Sequence, residues 1–402
     1  MEIEPRVQFD DTGTAFSYKT NRQLKKANLI FTLVNNPVTS AIATRLARAA
    51  LALRIPGVKT IIRNTIFEHF CGGETIEESE KTIANLNRFH VGTILDYSVE
   101  GEKTEQGFDD TAKEILRTLE GAKGNKGVPF CVFKVTGLGD SSILEKKHAR
   151  EALTAEEEAA FKKVFARVEK ICSKAHEYNI PVLVDAEETW IQDPIDELAY
   201  QMMKRYNQQR AIVFNTFQMY RRDMSARLRE AFQEMVKNNC YLGVKLVRGA
   251  YMEKEAARAG KKGVENPIHP TKEDTDKAFN KGLTFCLDNK QRITLMCGSH
   301  NEYSNRFLTV LMDKHGMKPN DPRVWFAQLL GMSDHISFNL SRAGYNVAKY
   351  VPYGPVSAVM PYLMRRAQEN TSVAGQSSRE LQLIRKELKR RREHPVPNSN
   401  PQ

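Results

Sequence analysis

Eight short apolar runs recur along the chain, separated by helix-length segments: ILDYSVE (94–100), PFCVFKVTG (129–137), PVLVDAE (181–187), AIVFNTFQ (211–218), YLGVKLVRGAY (241–251), ITLMCGSH (293–300), VWFAQLLG (324–331) and NVAKYVPYG (346–354). Seven of them carry polar or ionisable residues toward their ends, namely Lys134, Asp185, Gln218, Lys245 with Arg248, His300, Gln328 and Tyr350. Strands joined by helix-length crossovers pair in parallel, and eight such units in succession predict an α/β chain closed into a (β/α)8, TIM-type barrel. Strand ends converge on one face of that fold, so the polar ends mark a candidate active site.

Flanking segments follow a different period. Within 22–90, NRQLKKANLIFTLV, SAIATRLARAALAL and ESEKTIANLNRF place apolar residues three and four apart, which predicts a helical N-terminal arm over 1–90 ahead of a catalytic barrel over 91–370. Thr154 with Glu157, and Thr271 with Asp274, predict capping boxes at two barrel helices. The segment 254–270, rich in Gly and Pro, reads as a long loop after the fifth strand that covers a ligand. Residues 371–402 form a basic tail, in which Leu381, Ile384 and Leu388 give RELQLIRKELKRRRE a narrow apolar stripe. That stripe fits a helix docked on the protein; alternatively, with its basic face, it brings a soluble barrel to an anionic membrane surface.

Composition narrows the class. With 41% hydrophobic and 27% charged residues in 402, the chain is an ordinary globular protein with material for a large core. Its net charge of +11 suits anionic partners, but the tail lacks the interleaved aromatics of a nucleic-acid binder, and no nucleic acid is expected. Six cysteines without a C-x-x-C pair read as free thiols. No run long enough to span a bilayer and no signal or transit peptide is evident. The location read from this is cytoplasmic, or peripheral on the inner membrane in a bacterium, with a mitochondrial location left open.

Candidate chemistry gathers at two places. In YLMRRAQEN, Tyr362, Arg365, Arg366 and Glu369 fall on one helical stripe directly after the eighth strand; on a solvent face two arginines mean little, but beside a barrel mouth their planar forks suit a small carboxylate. Pro361 kinks that helix or marks its start. In VKLVRGAY, strand alternation cannot bury both Lys245 and Arg248, so at least one lies at the mouth, where Gly249 and Ala250 let the backbone approach a flat ligand. Lys134 and Asp185 are charges in apolar strands, so they either pair with each other or face a ligand. Gln218 and His300 are weak signals taken alone. The glycines of VTGLGDSS fit no dinucleotide-binding unit, and no metal motif appears among the nine histidines.

Together VKLVRGAY, LVDAEE, KYVPYGP and YLMRRAQEN resemble the proline dehydrogenase (proline oxidase) family, over about residues 60–370 and in its monofunctional form. The resemblance implies non-covalent FAD and oxidation of L-proline to Δ1-pyrroline-5-carboxylate by hydride transfer to flavin N5, with electrons passed to a membrane quinone. It implies that Arg365, Arg366 and Lys134 hold the proline carboxylate, that Glu369 supports the arginines, and that Asp185 holds Lys134. It further implies that Tyr350, Tyr362 and Leu329 shape the ring pocket. Ala186, Gln218, Arg248, Gly249, Ala250, Tyr251, Ser299 and His300 fall on flavin-contact positions, and Lys245 matches the cation near flavin N5. Proline must also lose its ammonium proton, for which Asp185 or water is a candidate acceptor. Two other enzymes compete with this reading: a hydroxyproline dehydrogenase, and a barrel lyase or aldolase using Lys134 or Lys245 as a Schiff-base amine.

Overall fold

A computed structural model of the chain describes residues 7–34, 57–99, 101–363 and 376–394. Eight parallel strands close into a barrel in sequence order: β1 (Val91–Tyr97), β2 (Phe130–Phe133), β3 (Val182–Val184), β4 (Val213–Gln218), β5 (Leu242–Val247), β6 (Ile293–Gly298), β7 (Val324–Leu329) and β8 (Val347–Tyr353). The barrel expectation therefore holds. β1 starts at Val91 rather than 94, because Gly92 and Thr93 break the apolar run while their backbone still pairs with Ala348 and Lys349.

The chain divides into two compact units, one spanning 101–327, the other built from 7–99 with 328–363 and 376–394. In the first, β2 through β7 pair in parallel, with Cys131 opposite Val182, Val184 opposite Asn215, and Thr216 opposite Lys245. Gly243 is required in β5, since a Cβ there would lie 2.4 Å from the Val213 carbonyl oxygen. Each covering helix turns one apolar stripe inward; Glu105–Ala122, for example, buries Phe108, Ala112, Ile115, Leu119 and Ala122. The expected capping box is complete at Thr154 and Glu157. At Thr271 the hydroxyl accepts from the Asp274 N–H and donates to the Asp274 carboxylate, so the reciprocal bond runs through the hydroxyl. The expected loop over 254–270 is half helix: Met252–Lys262 is helical, favoured by its Ala, Glu and Lys content, and ends at Gly263 with φ +65°. The remainder is tied back by an antiparallel bridge between Ile268 and Arg221.

In the second unit β1 and β8 pair from Val91 with Val347 to Tyr97 with Tyr353. The arm contributes the helices Asn21–Val34 and Ile76–Asn87. The helix Gln376–Glu393 docks against the arm: Leu381, Leu383 and Ile384 are buried with Ala15, Phe16, Leu24, Ala27 and Phe31, and Leu388 packs beside them. Its enclosed Glu387 takes Arg390 and Arg391, while Arg391 also donates to the carbonyls of Phe16 and Lys19. Of the two readings of the tail, the docked helix is the one observed, with Leu381 and Ile384 of the stripe covered by the arm. After β8 a helix already runs from 356, so Pro361 stands inside it and does not start it.

Candidate active site

In the unit spanning 101–327, the C-terminal ends of β2, β3 and β5 bring three charges together. Asp185 follows β3 and receives Lys134 on one carboxylate oxygen at 2.8 Å and Lys245 on the other at 2.5 Å. Burial alone would push the Asp185 carboxyl up; the two ammonium groups overcome it and hold the group at about 2. Lys134 and Asp185 do pair with each other, with Lys245 as the third member.

Two positions further on, Glu187 is buried and accepts from the backbone N–H of Thr136 at 3.0 Å and from its hydroxyl. Burial dominates here and raises its carboxyl to about 7. Glu187, the second acid of LVDAEE, was not singled out from the sequence and lies two positions from Asp185. Gln218, at the end of β4, donates to the Glu187 carbonyl at 2.7 Å, so it braces this turn; Ala186 lies in the same turn.

Arg248 is fixed on three partners: Nε on Asp276 at 2.7 Å, and its two terminal nitrogens on Ser299 at 2.8 Å and Ser304 at 2.9 Å. Its guanidinium lies over the Phe279 ring at 4.4 Å, and the side chain stays 21% exposed. Alternation thus divides the strand as expected, Lys245 into the buried triad and Arg248 onto the rim. Gly249 is constrained on one side. Its φ is +141°, and a Cβ would lie 2.5 Å from the ring of Tyr220, so the direction in which a side chain would stand is filled by that ring. Ala250 is exposed, Tyr251 is buried, and His300 is half-buried after β6.

In the other unit, Tyr350 is buried in β8, while Tyr362 belongs to an apolar cluster with Phe67, Phe70, Met332, Val359 and Leu363, against which Leu329 packs. Gln328 leaves the predicted ring of polar ends: it accepts from Ser337 at 2.7 Å, in the helix that follows β7, and so faces the helical layer. Lys349, which the strand pattern leaves beside the more conspicuous Tyr350, is fully buried and paired with Asp334 at 2.8 Å. Arg365, Arg366 and Glu369 lie outside the described residues.

The family model described as Proline dehydrogenase matches residues 79–379. Mitochondrial proline dehydrogenase 1 of Dictyostelium discoideum is 36% identical over 374 residues, covering 82% of this chain and 65% of that protein. Mitochondrial proline dehydrogenase 1 of Arabidopsis thaliana is 34% identical over 374 residues, covering 82% of this chain and 75% of that protein. Among solved structures, proline utilization A (PutA) of Bdellovibrio bacteriovorus, inactivated by N-propargylglycine, superposes with a TM-score of 0.71 at 18% identity, over 90% of this chain and 38% of that one. The chain therefore spans just under two thirds of the first relative and over a third of PutA, whose likeness speaks to the barrel alone. Because the family match runs from before β1 to beyond β8, and the identities extend over most of the chain, this protein belongs to the proline dehydrogenase family.

Proposed function

We propose that the chain oxidises L-proline to Δ1-pyrroline-5-carboxylate with FAD as its cofactor and a membrane quinone as electron acceptor. The observation that carries this reading is the triad at the strand ends: a carboxylate of low pKa that presents two oriented ammonium groups at the place where a barrel enzyme binds substrate. Lys134 and the arginines Arg365 and Arg366 would take the proline carboxylate, with Glu369 steadying the arginine pair; Leu329, Tyr350 and Tyr362 would enclose the ring.

The residues fit a flavin. Arg248 is a preset, partly open cation for a phosphate-bearing ligand, and Lys245 is a second cation held deeper by Asp185. These two, with Ala186, Gln218, Gly249, Ala250, Tyr251, Ser299 and His300, would hold FAD. When bound, FAD supplies a two-electron acceptor for the hydride that leaves the ring carbon beside the proline nitrogen. The chain's own work is to orient and enclose: the carboxylate clamp fixes that carbon, and the apolar wall excludes water. Asp185, held at about 2, acts as an anchor for Lys134 and Lys245 and is a poor acceptor for an ammonium proton.

The Schiff-base alternative is disfavoured because Lys134 and Lys245 each sit on a carboxylate oxygen, opposite to the apolar or cation-flanked setting that activates a lysine nucleophile. Among the described residues no helix is long and apolar enough to cross a membrane, so contact with a quinone would be made from the membrane surface. The reading is tested by turnover of L-proline with a soluble electron-accepting dye: product should form, and Arg366→Met should lower kcat/KM by roughly two to three orders of magnitude without loss of flavin. No product from flavin-loaded protein would refute it.

A further inference from the structure

The turn from β7 into the helix Asp334–Arg342 is bound at almost every step. Leu330 N donates to the Tyr350 carbonyl at 2.8 Å, Met332 N to the Leu329 carbonyl at 3.2 Å, and Ser333 N to Glu380 at 2.9 Å. Lys349 Nζ donates to the carbonyls of Leu329 at 3.3 Å and Met332 at 2.5 Å, and His69 Nε2 to the carbonyl of Gly331 at 3.0 Å. Lys349 also pairs with Asp334 Oδ1 at 2.8 Å, while the other oxygen of Asp334 receives the Tyr18 hydroxyl at 2.7 Å and Lys19 at 3.0 Å. Groups from β8, from the arm and from the terminal helix thus converge on the six residues 329–334.

A short connection needs none of this in order to fold. Ser333 takes a left-handed φ of 51°, and Gly331 lies at +76° with room for no Cβ, 2.4 Å from the His69 carbonyl. Such conformations persist when their surroundings over-determine them, and that over-determination concentrates at functional sites. The Lys349–Asp334 pair is wholly enclosed, a setting in which desolvation cancels most of the Coulombic gain, so stability is a weak reason for it. Its geometric output is definite. Leu329 begins the turn, and Tyr350 adjoins Lys349 on the opposite face of β8 and accepts the Leu330 N–H.

We propose that Lys349 is a positioning residue: together with Asp334, and completed by Tyr18, Lys19 and Glu380, it fixes Leu329 and Tyr350 as the wall against which the proline ring is placed. This rests on the function proposed above.

The test uses full-length, flavin-loaded Lys349→Met. The KM for L-proline should rise about tenfold with kcat changed less than about threefold, the preference for L-proline over trans-4-hydroxy-L-proline should fall, and amide exchange at Leu330 and Ser333 should quicken. Unchanged KM and preference with only a lowered melting temperature would overturn the proposal. Should Lys349→Met fail to fold, Glu380→Ala, which removes the Ser333 acceptor and leaves Lys349 and Asp334 in place, is judged by the same outcomes. If wild-type protein does not turn over L-proline, the proposed function falls; exchange at Leu330 and Ser333 then decides alone whether Lys349 fixes the turn, and exchange unaltered by the substitution refutes it.

Discussion

Lys245 and Asp185 stand 60 residues apart in sequence and meet at 2.5 Å, with Lys134 on the second carboxylate oxygen at 2.8 Å. Asp185→Asn would leave two ammonium groups around a neutral amide. Breaking a buried pair in this way costs about 3–5 kcal/mol, and Lys134, the cation proposed for the substrate carboxylate, would lose its orientation. Urea unfolding should show that loss, and kcat/KM for L-proline should fall by about two orders of magnitude. A variant as stable and active as wild type would refute the triad.

The same carboxylate sets an acid limit. Its folded pKa, about 2, lies below its ordinary value of 3.8, so the folded state binds the proton less readily than the unfolded chain. The stability it contributes is present in full above pH 4 and disappears as pH falls through about 2. Comparing wild type with Asp185→Asn across that window should show the difference between them shrinking toward zero at the acid end.

Glu187 behaves in the opposite sense. Burial raises its pKa from 4.5 to about 7, so protonation favours the folded state and stability declines as pH rises from 4.5 through 7. The decline attributable to this group is roughly 3 kcal/mol at most. Glu187→Gln should therefore gain stability relative to wild type at pH 8 but not at pH 4.5, as read from paired unfolding curves. An equal offset at both pH values would contradict it.

Tyr350 is buried in β8, where its ring would occupy the space that a 4-hydroxyl on the substrate needs. Tyr350→Ser should lose proline activity and shift the ratio of kcat/KM values toward trans-4-hydroxy-L-proline. A ratio that stays put would remove Tyr350 from the pocket.

Truncation after Gly375 should lower stability sharply, because Leu381, Leu383 and Ile384 each lose a buried site worth about 1.5–3 kcal/mol. Binding to anionic vesicles should change little, since the tail's apolar stripe is already covered by the arm. A truncated protein with unchanged melting temperature and weaker vesicle binding would restore the membrane role of the tail.

The barrel was legible because apolar runs ending in charges are unusual: a charge such as Lys134 in FCVFK has to find a partner or a ligand. Its pairing with Asp185 was one of the two readings open, but Lys245 as a second partner of Asp185 was not legible, because it comes from a strand 60 residues further along the chain. Lys349 carried the same signal, but its partner Asp334 opens a helix in a different segment, and no spacing rule links them. Gln328 misled for the opposite reason: a polar strand end can face the helical layer as readily as the mouth, and the two differ by one residue of alternation. At Gly249 the ring of Tyr220 stands where a side chain would go, a neighbour that no local pattern signals.

The most direct measurement is the visible absorbance of the purified protein under anaerobic conditions on addition of L-proline. The protein should be yellow, should lose its flavin colour with L-proline, and should regain it when an electron acceptor is added, while Arg366→Met should stay yellow at the same proline concentration. A colourless protein that cannot be loaded with FAD, or a yellow one that L-proline leaves unchanged, would contradict the proposed function.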